Sequence, residues 1–213
     1  MTIQETVIKK VAVIGSGVMG AQIAAHFANA GVPTLLLDIV PKGADERNVL
    51  ASNAIAKMLK GSPKAFVHPA AAKRVTPGNL EDDFDQLRDV DWIVEAIIED
   101  PDIKNHLYKR IDTVRKDTTI VSSNTSTIPL SHLVKGLSDS FRQNFLVVHF
   151  FNPPRYMRLL ELVVGADTKL DVLSTVEQFS DQRLGKGVVH CYDRPGFVAN
   201  RIGIFWMQCG YAA

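Results

Sequence analysis

Three stretches of the sequence carry residue types at spacings that suit chemistry. The first is LVVHFFNPPRYMRLLELV, Leu146 to Val163. His149 closes a strand-forming run, and Glu161 follows twelve residues later inside a second apolar run. Asn152, Pro153 and Pro154 lie between them and read as a turn. If the two runs lie side by side, Glu161 comes back beside His149. A carboxylate on one imidazole nitrogen fixes the tautomer and stabilises the imidazolium, leaving the other nitrogen to take a proton near neutral pH. On spacing alone the same residues also fit a hydrogen-bonded core histidine with an unrelated glutamate.

The second stretch is GSGVMG, Gly15 to Gly20, directly after the apolar run KKVAVIG and opening the helical pattern VMGAQIAAHFANAG. Glycine-x-glycine-x-x-glycine carries weight only between a strand and a helix, as here. Gly15 makes the tight turn, Gly17 lets a pyrophosphate approach the backbone, and Gly20 lets helix and strand pack closely. Val18, Met19 and Gly20 begin the helix, whose free N–H groups and partial positive charge suit phosphates. Asp38 ends the next strand, PTLLLD, where it can accept hydrogen bonds from both ribose hydroxyls and repel a 2′-phosphate. Ile39 follows it and no arginine is adjacent, so the expected cofactor is NAD rather than NADP.

The third stretch is SSNTS, Ser122 to Ser126, just past TTIV. In open α/β sheets ligands bind beyond the carboxyl ends of the strands. Polar residues there, and His149 at a similar strand end, stand where a packed core would want apolar ones.

The elements that must position these residues follow from periodicity. Short apolar runs expected as strands are KKVAVIG, PTLLLD, DVDWIVEAII, TTIV, FLVVHF, RLLELVV and GVVHC. Helices are expected over VMGAQIAAHFANAG with its stop at Gly31, from about Lys42 to Lys60, over a turn or two at Ala70–Arg74, after Pro101, over IPLSHLVKGL, over DTKLDVLSTVEQFSDQRLGK, and from Pro195 onward. TPGNLEDDFDQL reads as turn-rich and acidic. Strands alternating with helices predict an α/β fold with a doubly wound, mostly parallel sheet covered on both faces. The last helix, in GFVANRIGIFWMQCGYAA, is apolar on more than one face, so burial by a further domain or a dimer partner is expected.

The composition is that of a globular protein: 213 residues, 46% hydrophobic and 22% charged. Twenty-four Lys and Arg against 23 Asp and Glu give a net charge of +1, without the basic bias of a nucleic-acid binder. Cys191 and Cys209 form no CxxC and no disulfide framework, which favours a reducing, cytoplasmic setting. MTIQETVIKK lacks the apolar core of a signal peptide, no run is long enough to span a membrane, and the six His make no metal motif.

GSGVMG, SSNTS, HFFNP and DRPGFVANR, in this order, resemble the L-3-hydroxyacyl-CoA dehydrogenase family, over Lys10 to about Arg201. The resemblance implies a Rossmann-type NAD-binding domain, here residues 1–194, and the start of a C-terminal helical domain, 195–213, that closes the substrate cleft and often forms the dimer interface. It implies oxidation of an L-3-hydroxyacyl-CoA to the 3-ketoacyl-CoA, a β-oxidation step. His149 then corresponds to the general base and Glu161 to its partner. Ser126 corresponds to a hydroxyl near the substrate oxygen, and Asn152 and Asn200 to polar groups holding substrate and imidazole. Asp38 is the ribose carboxylate, and Glu99 and Lys104 are cofactor-side positions. PRYM after HFFNP, Arg194 in DRPGF, and GSPKAFVHPAAAKR depart from the common pattern and are closer to long bacterial multifunctional fatty-acid oxidation proteins. Lys57, Lys60 and Lys64 are available for the CoA part of the substrate. The competing expectations are a dehydrogenase of another 3-hydroxy acid and a non-catalytic dinucleotide-binding module.

Overall fold

The computed structural model describes residues 8–211. In chain order they form β1 (Val11–Ile14), α1 (Val18–Asn29), β2 (Thr34–Asp38), α2 (Val49–Lys60), β3 (Val75–Asn79), β4 (Trp92–Glu95), α3 (Pro101–Val114), β5 (Ile120–Ser123), α4 (Leu130–Leu133), α5 (Asp139–Gln143), β6 (Phe145–Phe150), β7 (Leu159–Val164), α6 (Leu170–Gln182), β8 (Gly187–Cys191) and α7 (Ala199–Tyr211). Short 3₁₀ helices cover Pro69–Arg74 and Phe84–Asp89.

The eight strands form one sheet in the order β3-β2-β1-β4-β5-β6-β7-β8. All neighbours are parallel except β6 and β7. The first six strands have the doubly wound order, whose direction of winding reverses between β1 and β4, and this is where such sheets bind ligands. Every residue of β1, β4, β5 and β6 is buried, as expected for strands covered on both faces. Alternation then divides them between two cores. Val11, Val13, Trp92 and Val94 pack with Ile23 and Phe27 of α1 and Phe179 of α6. Ala12, Ile14, Ile93 and Val121 pack on the opposite face with Leu107, Tyr108 and Ile111 of α3. Asp100 caps α3 by accepting from the Asp102 and Ile103 amides at 2.9 and 3.0 Å, with Pro101 in the first turn.

Several elements differ from the reading of the sequence: the short helix α5 was not expected, and α7 begins at Ala199 and not at Pro195. TPGN is not all turn: Val75–Asn79 pairs with β2 as the edge strand, a place where Pro77 breaks no second ladder. The helix expected from Lys42 begins only at Val49, because Gly43 takes a positive φ of 77° and Arg47 is held outward by Glu81 and Asp82 at 2.7 and 2.6 Å. The helix expected from Asp167 begins at Leu170, because the Thr168 hydroxyl turns the chain by binding the Phe145 carbonyl and the Gly165 amide. No residue of α7 is buried; Phe205 is 67% and Trp206 75% exposed. Among the described residues no helix is long and apolar enough to cross a membrane, and no group of three or more His, Cys, Asp or Glu is placed to hold a metal.

Candidate active site

Gly15 turns the chain out of β1 with φ of 100°. A Cβ on it would stand 2.5 Å from the Ala96 carbonyl oxygen at the end of β4, so only glycine fits. A Cβ on Gly20 would stand 1.9 Å from the Gly15 carbonyl oxygen, which is the close approach of α1 to the turn. Gly17 differs: its φ is −64° and a Cβ there would meet no atom within 4 Å. The chain itself does not require a glycine at 17; open space over the N-terminus of α1 does fit a phosphate that must reach the backbone. Beside it, Asp38 accepts from the Ser16 amide at 2.6 Å and hydroxyl at 2.5 Å through one oxygen, and from the Ile39 amide at 2.7 Å through the other. The carboxylate is thus fixed at the edge of the cradle, half-buried, with lone pairs to spare for ribose hydroxyls.

His149 and Glu161 are directly opposite each other in the antiparallel β6–β7 ladder. The Nδ1 to Oε2 distance is 2.8 Å, and both side chains are buried. Glu161 uses its other oxygen to accept from the Val198 and Ala199 amides at 3.0 and 2.8 Å, where the chain enters α7. His149 and two main-chain amides thus converge on one buried carboxylate. The carboxylate orients the imidazole so that Nδ1 faces Glu161 and Nε2 faces away. Phe151 and Phe197 flank the ring, with centroids 4.5 and 5.8 Å from it. Phe197 is the one non-glycine residue with positive φ, 43°, among those described, and follows Gly196 at 78°. This tight turn puts its ring against His149 while the next two amides reach Glu161. Burial, and then the Glu161 charge, push the neighbouring Cys191 thiol up to about 11, so it stays protonated.

The family model described as 3-hydroxyacyl-CoA dehydrogenase, NAD binding domain, matches residues 10–194. The chain belongs to this family. A probable 3-hydroxyacyl-CoA dehydrogenase of Deinococcus radiodurans is 50% identical over 198 residues, covering 93% of this chain and 57% of that protein. A probable 3-hydroxyacyl-CoA dehydrogenase of Bacillus subtilis is 44% identical over 212 residues, covering 93% of this chain and 27% of that protein. Among solved structures, FadB2 of M. tuberculosis superposes with a TM-score of 0.79 at 30% identity, over 96% of this chain and 73% of that one. The 3-hydroxybutyryl-CoA dehydrogenase of Escherichia coli gives 0.78 at 30% identity, over 92% and 41%. The chain therefore spans less than two thirds of these curated relatives' length.

Within this domain Glu99 and Lys104 are joined in an ion pair at the start of α3. Lys104 is 1% exposed, its ammonium 2.6 Å from Glu95 and 3.2 Å from Glu99. Glu99 is partly exposed and accepts from the Thr125 and Thr127 hydroxyls and the Ser126 amide. Burial raises its pKa, but the Thr125 hydroxyl and the Lys104 charge outweigh burial and hold it below the usual range. Lys104 thus bridges Glu95 and Glu99, and Glu99 ties the polar loop after β5 to the loop after β4. Ser126 is held on its other side by the Gly196 amide, 3.0 Å from its carbonyl. Asn152 accepts from Gln22 of α1 at 3.2 Å, and Asn200 lies one residue past the amides that bind Glu161. The structure thus joins Ser126, Glu99 and Lys104 in one network and His149 with Glu161 in another.

Sequence reasoning missed Glu95. It is fully buried at the end of β4 and accepts from the Ile97 amide, Lys104, the Tyr108 hydroxyl and the Ser123 hydroxyl. Burial and this carboxylate push the Tyr108 hydroxyl well above its usual value, so it remains a donor. The available signal was an acid ending an otherwise apolar strand. Asn124, named with its polar neighbours, accepts from the Phe150 amide at 2.9 Å and joins the ends of β5 and β6. Of the three lysines, only Lys57 lines the cleft of about 540 Å³ that also takes in Gly17, Val18, Asn152 and Pro153.

Proposed function

We propose that the chain carries the dinucleotide-binding and proton-transfer part of an NAD-dependent L-3-hydroxyacyl-CoA dehydrogenase acting in β-oxidation. The paired His149 and Glu161 at the carboxyl end of β6 carry this reading. NAD, when bound, supplies the acceptor for the hydrogen on C3. His149 Nε2 removes the C3 hydroxyl proton as the carbonyl forms, and returns it in the reverse reaction. Glu161 holds the Nδ1–H and stabilises the imidazolium. Ser126 and Asn152 hold the substrate oxygen and the imidazole, and Asn200 secures the same region from α7. Gly15 to Gly20 bind the pyrophosphate, Asp38 the adenine ribose, and Glu99, backed by Lys104, the other end. General acid–base catalysis of this kind is worth about 10²- to 10⁴-fold.

The acyl-CoA thioester enters from the side on which the helical domain begun by α7 stands. Residues 1–194 form the cofactor domain and 195–213 begin a helical domain. A further domain or a second copy covers the apolar face of α7, and the protein works in the cytoplasm. Oxidation of NADH, followed at 340 nm with acetoacetyl-CoA and with free acetoacetate, tests the substrate class. Faster turnover of the thioester supports the reading. Faster turnover of the free acid assigns the site to another 3-hydroxy acid, and NADH binding without turnover of either leaves only a cofactor module.

A further inference from the structure

Lys186 is a buried cation without a counter-charge. It directly precedes β8 and is 2% exposed. Among the described residues no carboxylate lies within 4.0 Å of its ammonium. The ammonium instead donates to the main-chain carbonyls of Pro154 and, at 2.9 Å, Met157, and stands 5.6 Å from the Phe150 ring centroid. Buried charges are ordinarily paired, because desolvation is costly, and an apolar side chain of the same length would fill this space without that cost. The burial is severe enough to pull its pKa down to about 8.

Both carbonyls belong to the loop between β6 and β7, the one that carries Asn152 and Pro153. These two residues wall the cleft that opens beside Gly17 and Val18. The loop's ties on its outer side are exposed or partly so: Arg155 to the Lys64 and Phe66 carbonyls, Tyr156 to the Lys64 carbonyl, and Gln22 to Asn152. The Lys186–Pro154 bond is buried and holds the loop from beneath. His26 of α1 lies close enough to feel the Lys186 charge, and the Arg155 charge of the loop acts on the same imidazole. His26 is kept near 4 by burial first and by Lys186 next, so it is neutral and adds no second positive charge at neutral pH.

We propose that Lys186 is a positioning residue: it pins the Pro154 and Met157 carbonyls from the protein interior and so sets the Asn152–Pro153 wall of the cleft for cofactor binding. The effect on the cofactor rests on the NAD site proposed above; the effect on the loop does not. A protonated amine is the stronger donor, so the clamp weakens as pH rises through the range where Lys186 loses its proton.

Hydrogen exchange and NADH titration of the 213-residue chain and its Lys186→Met variant test this. The amides of Tyr156 and Met157, which donate to the Pro153 carbonyl at 2.9 and 3.0 Å, report the loop. In Lys186→Met they exchange at least about tenfold faster, with β1, β4 and α3 unchanged, and NADH binds about three- to tenfold more weakly. In the wild type, protection of these amides, corrected for the intrinsic pH dependence of exchange, falls between about pH 7 and 9.5, whereas Lys186→Met shows no such limb. Unchanged exchange in Lys186→Met, or acceleration spread evenly over the sheet, overturns the proposal. If Lys186→Met does not fold, the wild-type limb decides alone, and its absence overturns the proposal. Exchange needs no ligand, so a chain that fails to bind NADH refutes the cofactor reading while the loop is still decided by its amides.

Discussion

The two helix glycines of the cradle are expected to fail in opposite ways when each is replaced by alanine. At Gly20 the new methyl would lie 1.9 Å from the Gly15 carbonyl oxygen, 3.0 Å from its carbon and 3.3 Å from the Ala96 Cβ. The first distance is roughly 1.5 Å short of ordinary contact, and the atom met is Gly15 backbone, with the Ala96 side chain behind it. The turn and α1 must separate, at about 1–3 kcal/mol or more. For a domain of this size that lowers Tm by roughly 2–12 °C. At Gly17 no atom lies within 4 Å of the new methyl and φ is already −64°, so the folded chain is unstrained. Restricting the unfolded chain stabilises by up to about 1 kcal/mol, so Tm stays level or rises slightly. The methyl does occupy the open space through which the proposed pyrophosphate would reach the backbone. Losing one charge-assisted hydrogen bond, about 1.5–3 kcal/mol, weakens NADH roughly 10- to 100-fold. Thermal melts and NADH fluorescence titrations on the same samples separate the two effects. Gly17→Ala with normal Tm and normal NADH affinity would show that no phosphate sits over α1. Gly20→Ala with a wild-type Tm would refute the close packing of helix and turn.

Three other outcomes follow from the same geometry. Glu161→Gln keeps the size of the side chain and one oxygen for the Val198 and Ala199 amides, but turns an amide N–H toward His149 Nδ1 and so favours the wrong tautomer; turnover falls about 10²- to 10⁴-fold with NADH affinity nearly unchanged, measured by steady-state kinetics. His26, held at about 4 by burial and then by Lys186, binds fewer protons folded than unfolded. Its contribution is therefore fully present above the unfolded value of 6.5 and is lost as pH falls through about 4, removing roughly 3 kcal/mol; urea titrations of wild type and His26→Leu across that range show a steep acid limb only in the wild type. Tyr108→Phe deprives the buried Glu95 of one of its four donors and lowers unfolding free energy by about 1–3 kcal/mol, read from the urea midpoint.

The sheet was legible because its strands are continuous apolar runs separated by helical ones. The edge strand β3 was not, since Pro77 and Gly78 carry turn signals and the pairing with β2 is settled only in three dimensions. The His149–Glu161 pair was legible as a possibility because a proline-rich turn implied an antiparallel return; only the register shows them opposite each other. The main-chain amides of Val198 and Ala199 on Glu161 left no trace in the side-chain pattern, because any residue could supply them. The Glu95 network was hidden for another reason. Its partners come from the neighbouring strand, 28 residues on at Ser123, and from the buried face of α3, 9 and 13 residues on at Lys104 and Tyr108. Lys104 is named only through the family resemblance, as a cofactor-side position; that it is buried on the inner side of α3 between two carboxylates left no trace in the sequence.

His149 is proposed to move the substrate proton in a hydroxyacyl-CoA dehydrogenase reaction. NADH oxidation with acetoacetyl-CoA, for wild type and His149→Gln, tests it most directly. The assay is run on this chain and on a form with the C-terminal region of the Deinococcus relative joined after Ala213. Turnover is expected in the wild type, at least in the longer form, with a loss of about 10²- to 10⁴-fold in His149→Gln and NADH affinity nearly intact. Equal turnover in wild type and His149→Gln would contradict it, as would NADH binding with no turnover of the thioester in either form.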